Sequence, residues 1–133
     1  MILLNDDQLE TIFQGVVAHT RYLVPTPYKW VNSDENIIGG MPTGMCADQS
    51  IAMWHRARAL DCDRAKVRLA EVGTELAKTG VADHMIFCCQ NDAGRWKALD
   101  IRQPRVCDVA DLPYTWYSWG QDFCSPWHKP VFN

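Results

Sequence analysis

The stretch HMIFCCQNDAGRWKALD, residues 84–100, decides the fold. Its first part, 84–89, is a short apolar run too brief for a helix of ordinary length, and it reads as a largely buried strand. Residues 95–101, RWKALDI, alternate apolar and polar with the period of a second strand. QNDAG between them is a turn signal, with Gly94 able to take a positive φ. An antiparallel hairpin follows, and directly opposed residues in such a pair share a face. An odd loop centred on Asp92, closing Gln90 to Gly94 or Cys89 to Arg95, places His84 opposite Asp100. Ile86, Cys88, Trp96 and Ala98 then lie on the same face, and Arg95 and Lys97 on the other. An even loop would separate His84 from Asp100. With the odd loop, one face is apolar except for an imidazole and a carboxylate side by side.

Upstream, GMCADQSIA (44–52) opens a helix running to about residue 60. Thr43 is the candidate cap, Asp48 sits in the first turn where the helix dipole favours a negative charge, and Ala47, Ile51, Trp54 and Ala57 or Arg58 form one face. Gln49, His55, Arg56 and Arg58 form the polar face. This helix is expected to cover the His84 and Asp100 face of the hairpin. An earlier helix, capped by Asn5 or Asp6, carries Leu9, Ile12, Phe13, Val16 and Val17 as one stripe and should end near Tyr22, since Pro25 and Pro27 cannot continue it. Residues 24–44 read as a loop, KVRLAEV (66–72) as a strand, and the chain beyond Pro104 as one or two strands with irregular pieces. The elements describe one α+β domain over 1–133, without repeats or linkers.

A chain of 133 residues, 47% hydrophobic and 22% charged, can bury a core of its own. The net charge of -3 gives no electrostatic case for nucleic acid or an anionic membrane. MILLNDDQLE lacks the apolar core of a signal peptide, so a cytoplasmic protein is expected. The six cysteines show no CxxC pair, and Cys124-x3-His128 has no second pair to complete a zinc site. They are read as reduced, with Cys88 and Cys89 on opposite faces of their strand. His19 suits a helix C-terminus, His55 a solvated face and Asp92 a turn. Trp116, Tyr117, Trp119 and Trp127 are read as core rather than groove.

Cys46 differs from the other thiols in its place. A helix N-terminus favours the thiolate, and a histidine with a carboxylate beside it is the arrangement of an oriented base. Gly44-x-Cys46-x-Asp48 with Ala52 on the helix, His84 opening a hydrophobic strand, and Asp100 closing the next one after an aromatic and a Leu resemble the transglutaminase-like cysteine peptidases of bacteria and their phages. A weaker echo lies in VADLPYTWY (109–117). The resemblance implies a papain-like Cys-His-Asp fold with Cys46 as nucleophile, His84 as base and Asp100 as its support, acting on a protein or peptide substrate through a thioester. Trp30 and Asn32 are the candidates for a second oxyanion donor beside the Cys46 N–H. Some relatives carry acidic residues around the cysteine that help bind calcium. Met45 and Ala47 stand there in this chain, so no metal and no cofactor is expected. Family members often have Asn after the Asp, where this chain has Ile101. The alternative is a structural or interaction subunit on the same fold within a larger assembly such as a phage virion.

Overall fold

The computed structural model describes residues 1–23, 31–74 and 82–114, with the backbone alone of 116–120. Trp30, Trp127, Cys124 and His128, and the side chains of Trp116, Tyr117 and Trp119, lie outside the described residues. Among the described residues no helix is long and apolar enough to cross a membrane.

Helix α1 spans Asp6–His19. Asn5 caps it: Asn5 Oδ1 accepts the Gln8 N–H at 2.8 Å and Gln8 Oε1 accepts the Asn5 N–H at 3.0 Å, a reciprocal pair that satisfies two donors at the helix start. Leu9, Ile12, Phe13 and Val16 are buried, whereas Val17 turns outward, 36% exposed. The helix stops short of Tyr22 because Arg21–Tyr22 leave it as a short strand, β1. The segment expected to be loop between 24 and 44 contains two more short strands, β2 (Ile37–Ile38) and β3 (Met41–Gly44). Gly39 and Gly40 join them with φ of 64° and 78°, the two-residue turn with both central residues left-handed that only glycine-like positions tolerate. β3 also pairs in parallel with β1, Arg21 opposite Thr43 and Tyr22 opposite Gly44.

Helix α2 spans Cys46–Ala59. The main sheet is antiparallel throughout: β4 (Val67–Gly73), β5 (His84–Gln90), β6 (Trp96–Leu99), β7 (Cys107–Asp108) and β8 (Trp116–Gly120), in spatial order β7-β6-β5-β4-β8. The hairpin of β5 and β6 closes Gln90 on Trp96, with Cys88 opposite Ala98 and Phe87 opposite Leu99. This register lies two residues away from the expected one. Asn91 sets it. Its side-chain oxygen accepts the N–H groups of Ala93 and Arg95, its own N–H donates to the Arg95 carbonyl, and the neighbouring Asp92 N–H donates to the Leu4 carbonyl near the start of the chain. The loop is therefore 91–95, where the expected closures leave 91–93 or 90–94. A two-residue slip preserves the face, so His84 and Asp100 remain on one side as diagonal rather than directly opposed neighbours.

The sheet has an apolar layer on each side. Leu69, Met85, Phe87, Cys89 and Leu99 pack with α1 and α2, while Ala70, Val72, Ile86, Cys88 and Ala98 pack under Val109, Leu112 and Tyr114. Helix α2 thus covers the face opposite to the one expected. The physical reason lies in β5, buried over His84–Cys89 on both sides, so that alternation carries no mark of which side the helix takes. Gln49, expected on the polar face of α2, is buried, because the hairpin segment of 31–44 and the sheet enclose the first half of the helix. Among the described residues Phe13 and Phe87 are the largest side chains fully removed from water, and they anchor the main core.

Candidate active site

Cys46 is the first residue of α2, half-buried, and its position is set by Gly44 and Asp48. The buried Asp48 carboxylate folds back over the helix start: Oδ2 accepts the Met45 N–H at 2.8 Å and Oδ1 accepts the Val31 N–H at 2.9 Å. An acidic side chain three residues into the helix that reaches back to the residue before it is one arm of a capping box. Asp48 therefore does the capping expected of Thr43, whose hydroxyl instead donates to the Asn36 carbonyl at 3.0 Å. A Cβ on residue 44 would stand 2.4 Å from the Asp48 Cβ, so only glycine fits there. The spacing of Gly44, Cys46 and Asp48 is thus explained by how the helix begins. One turn on, the Ser50 hydroxyl donates to the Met85 carbonyl at 3.2 Å and fixes α2 against β5 beside His84.

His84 is the first residue of β5, at the end of the sheet beneath the start of α2, and it is 8% exposed. Its position at the strand end lets an imidazole on the far face meet a thiol from the helix side. Nε2 lies 2.6 Å from Asp100 Oδ1, and the Cys46 thiol is close enough to the same imidazole to act on its ionisation. Because Nε2 serves Asp100, Nδ1 is the ring nitrogen left for the thiol. Asp100, fully buried just past β6, also accepts the Arg102 N–H at 3.0 Å, and its Oδ2 accepts a short hydrogen bond from the Tyr114 hydroxyl. The Tyr114 ring meets the His84 ring edge-on, 5.9 Å between centroids at 64°.

Burial alone would lower the His84 pKa, but the hydrogen bond to Asp100, with the nearby Cys46 thiol adding to it, outweighs burial and pushes it up to about 9. For Asp100, burial acts upward, and the donors His84, Tyr114 and Arg102 N–H overcome it and hold the carboxyl below its ordinary value. Burial and the neighbouring Asp100 carboxylate keep the Tyr114 hydroxyl protonated, as a donor must be. Met45, Cys46, Ala47, Glu71, Ala82, Asp83, His84 and Met85 line a cavity of about 210 Å³, so the thiol and imidazole share its wall. A second cavity, of about 370 Å³, touches His84 from the side of Tyr22 and Arg102.

The structure therefore brings Cys46, His84 and Asp100 together. Asn32 serves elsewhere, since its side-chain oxygen accepts the Asp34 N–H at 2.9 Å at the head of a short 3-10 turn, and it lines neither cavity at His84. Trp30 lies outside the described residues. Tyr114 is a site residue that sequence reasoning misses, although it stands in VADLPYTWY, the segment with the weaker likeness to the family pattern. Of the remaining described thiols, Cys62, Cys88 and Cys89 are fully buried and Cys107 is half-buried. Burial pushes the Cys88 and Cys107 thiols up, with the Asp100 carboxylate adding to it in both.

No model of a known protein family matches the chain, and no curated protein is a significant match to its sequence. Its fold does match a solved structure, calcium-bound LapG from Legionella pneumophila, with a TM-score of 0.64 at 17% identity over 84% of this chain. The chain spans 63% of that protein's length. The architecture is thus a transglutaminase-like α+β fold. Calcium does not fit the residues seen here. Asp48 is held by two backbone N–H groups, Met45 and Ala47 flank the cysteine, and among the described residues no group of three or more His, Cys, Asp or Glu side chains is placed to hold a metal ion.

Proposed function

We propose that this chain is a cysteine hydrolase of the bacterial and phage transglutaminase-like type, cleaving an amide or peptide bond through Cys46, His84 and Asp100. The observation that carries the reading is that Cys46 and His84 line one cavity while His84 is hydrogen-bonded to the buried Asp100. The likeness to LapG supports a cysteine peptidase at the level of the fold. In the reaction, His84 takes the Cys46 proton and Asp100 holds the imidazolium and its orientation. The sulfur attacks the carbonyl carbon, and the electron pair of the C=O bond moves to oxygen. The Cys46 N–H, a first-turn donor with no partner inside the helix, faces that developing charge. Collapse of the intermediate expels the amine, which takes its proton from His84. A water that gives its proton to His84 then attacks the thioester, releasing the acid and restoring the thiol.

A peptide library prepared from a digested proteome, read by mass spectrometry for new termini, tests this. The expected result is cleavage by the native chain that disappears in Cys46→Ala and falls by about 10²–10⁴ in Asp100→Asn. Cleavage that survives Cys46→Ala, or no cleavage and no acylated Cys46 at high protein concentration, would overturn the proposal. In the alternative reading, a non-catalytic subunit, nothing requires the thiol to open on a cavity beside a histidine.

A further inference from the structure

The wall of the Cys46 cavity contains one residue that the chain's own packing does not explain. Along β4, Leu69 and Glu71 share a face, and their partners across the strand pair are Phe87 and Met85. That face is apolar wherever α2 lies on it. Glu71 is the exception, at the sheet end where the helix start leaves the cavity instead of packing down. It is partly buried, and among the described residues no hydrogen bond or ion pair reaches its carboxylate. Burial is the only influence on its ionisation and pushes its pKa up, the mark of a charge losing water without a partner.

The other lining groups do not answer it. Asp83 accepts the Thr74 N–H at 2.8 Å and the Thr74 hydroxyl at 2.5 Å, so its carboxylate is already paired. His84 is held by Asp100. Among the described residues, neither lysine nor arginine lines this cavity. Among the described residues no group of three or more His, Cys, Asp or Glu side chains is placed to hold a metal ion. The volume, about 210 Å³, is below the roughly 300–1,000 Å³ of pockets that enclose whole drug-sized ligands, and suits one side chain.

We propose that this cavity is a specificity pocket for a basic side chain, a lysine or arginine of the substrate next to the bond that Cys46 attacks, with Glu71 as its counter-ion. The assignment rests on the cysteine hydrolase reading and adds the substrate class to it. An incoming ammonium or guanidinium would give Glu71 the partner that the free chain lacks, and would hold the scissile carbonyl within reach of the thiol.

The test uses Cys46 itself as reporter, so it needs no knowledge of the natural substrate. Three methanethiosulfonate reagents, carrying a trimethylammonium, a neutral methyl or a sulfonate group, form mixed disulfides with the thiol, and each rate is divided by that of the same reagent with 2-mercaptoethanol. At low salt the normalised ratio of cationic to anionic rates should fall about three- to tenfold in Glu71→Gln and be retained in Glu71→Asp. In the native chain, raising salt to 1 M should compress that ratio. In the peptide library, cleavage sites should be enriched in lysine or arginine for the native chain and lose that enrichment in Glu71→Gln. A ratio indifferent to Glu71→Gln and to salt would overturn the pocket assignment and leave the hydrolase reading standing. A Cys46 no faster than Cys107 with all three reagents would overturn both.

Discussion

Asp100→Asn is the most informative change to the core of the site, because it keeps the shape and removes the charge. Asn can still accept the Tyr114 hydroxyl or the Arg102 N–H through its remaining oxygen, so part of the local hydrogen bonding has a replacement. What disappears is the carboxylate 2.6 Å from His84 Nε2. His84 in the native chain is pushed up to about 9, against an ordinary value of about 6.5, and the difference corresponds to about 3 kcal/mol of preference for the imidazolium. Burial acts the other way and remains after the substitution, as does the smaller upward influence of Cys46, so in Asp100→Asn the histidine should titrate well below its native value. The same numbers fix a pH effect on stability. A raised folded-state pKa means the folded chain binds the proton more tightly, so the contribution is complete below about pH 6.5 and is lost as pH rises toward 9. Urea unfolding should therefore show up to about 3 kcal/mol less stability at about pH 9.5 than at about pH 6 in the native chain, and much less of a difference in Asp100→Asn. Nuclear magnetic resonance titration of the imidazole signals, with His84 assigned by its absence in His84→Gln, reads the pKa directly. A His84 midpoint unmoved by Asp100→Asn would refute the reasoning.

Gly44→Ala should cost about 1–3 kcal/mol in urea unfolding, since its Cβ would press on Asp48 at 2.4 Å. Asp48→Ala should also destabilise, by about 1 kcal/mol for each of the two part-buried N–H groups, of Met45 and Val31, left without its acceptor, measured the same way. Tyr114→Phe leaves Asp100 one donor short: stability should fall by about 1.5–3 kcal/mol, and the pH profile of Cys46 reactivity should shift, which loss of packing alone would not cause. Phe87→Ala, removing a fully buried ring beneath α2, should cost about 3–5 kcal/mol by the same unfolding assay.

The readable parts of the sequence are those whose cause is local. The period of Leu9, Ile12, Phe13 and Val16 marks α1, and the odd loop of the hairpin puts His84 and Asp100 on one face, which their hydrogen bond requires. Period-two alternation defines a face without defining register, so the two-residue slip imposed by Asn91 is not readable from the strands. The side taken by α2 is hidden because β5 is apolar on both faces. Tyr114 reaches Asp100 only through the path of the chain after β7, a tertiary effect without a local pattern. The Gly39–Gly40 turn, by contrast, carries a readable hairpin signal between Ile38 and Met41, which a reading of 24–44 as plain loop overlooks.

The central claim is that His84 activates Cys46, and alkylation by iodoacetamide with mass-spectrometric site mapping tests it most directly. Cys107 is the internal control, the other half-buried thiol among the described residues, placed near carboxylates instead of a histidine. At about pH 7 the native chain should be labelled at Cys46 first, well ahead of Cys107, with Cys62, Cys88 and Cys89 silent in their buried positions. In His84→Ala the Cys46 rate should fall toward that of Cys107. Equal rates at Cys46 and Cys107, unchanged by His84→Ala, would contradict the account.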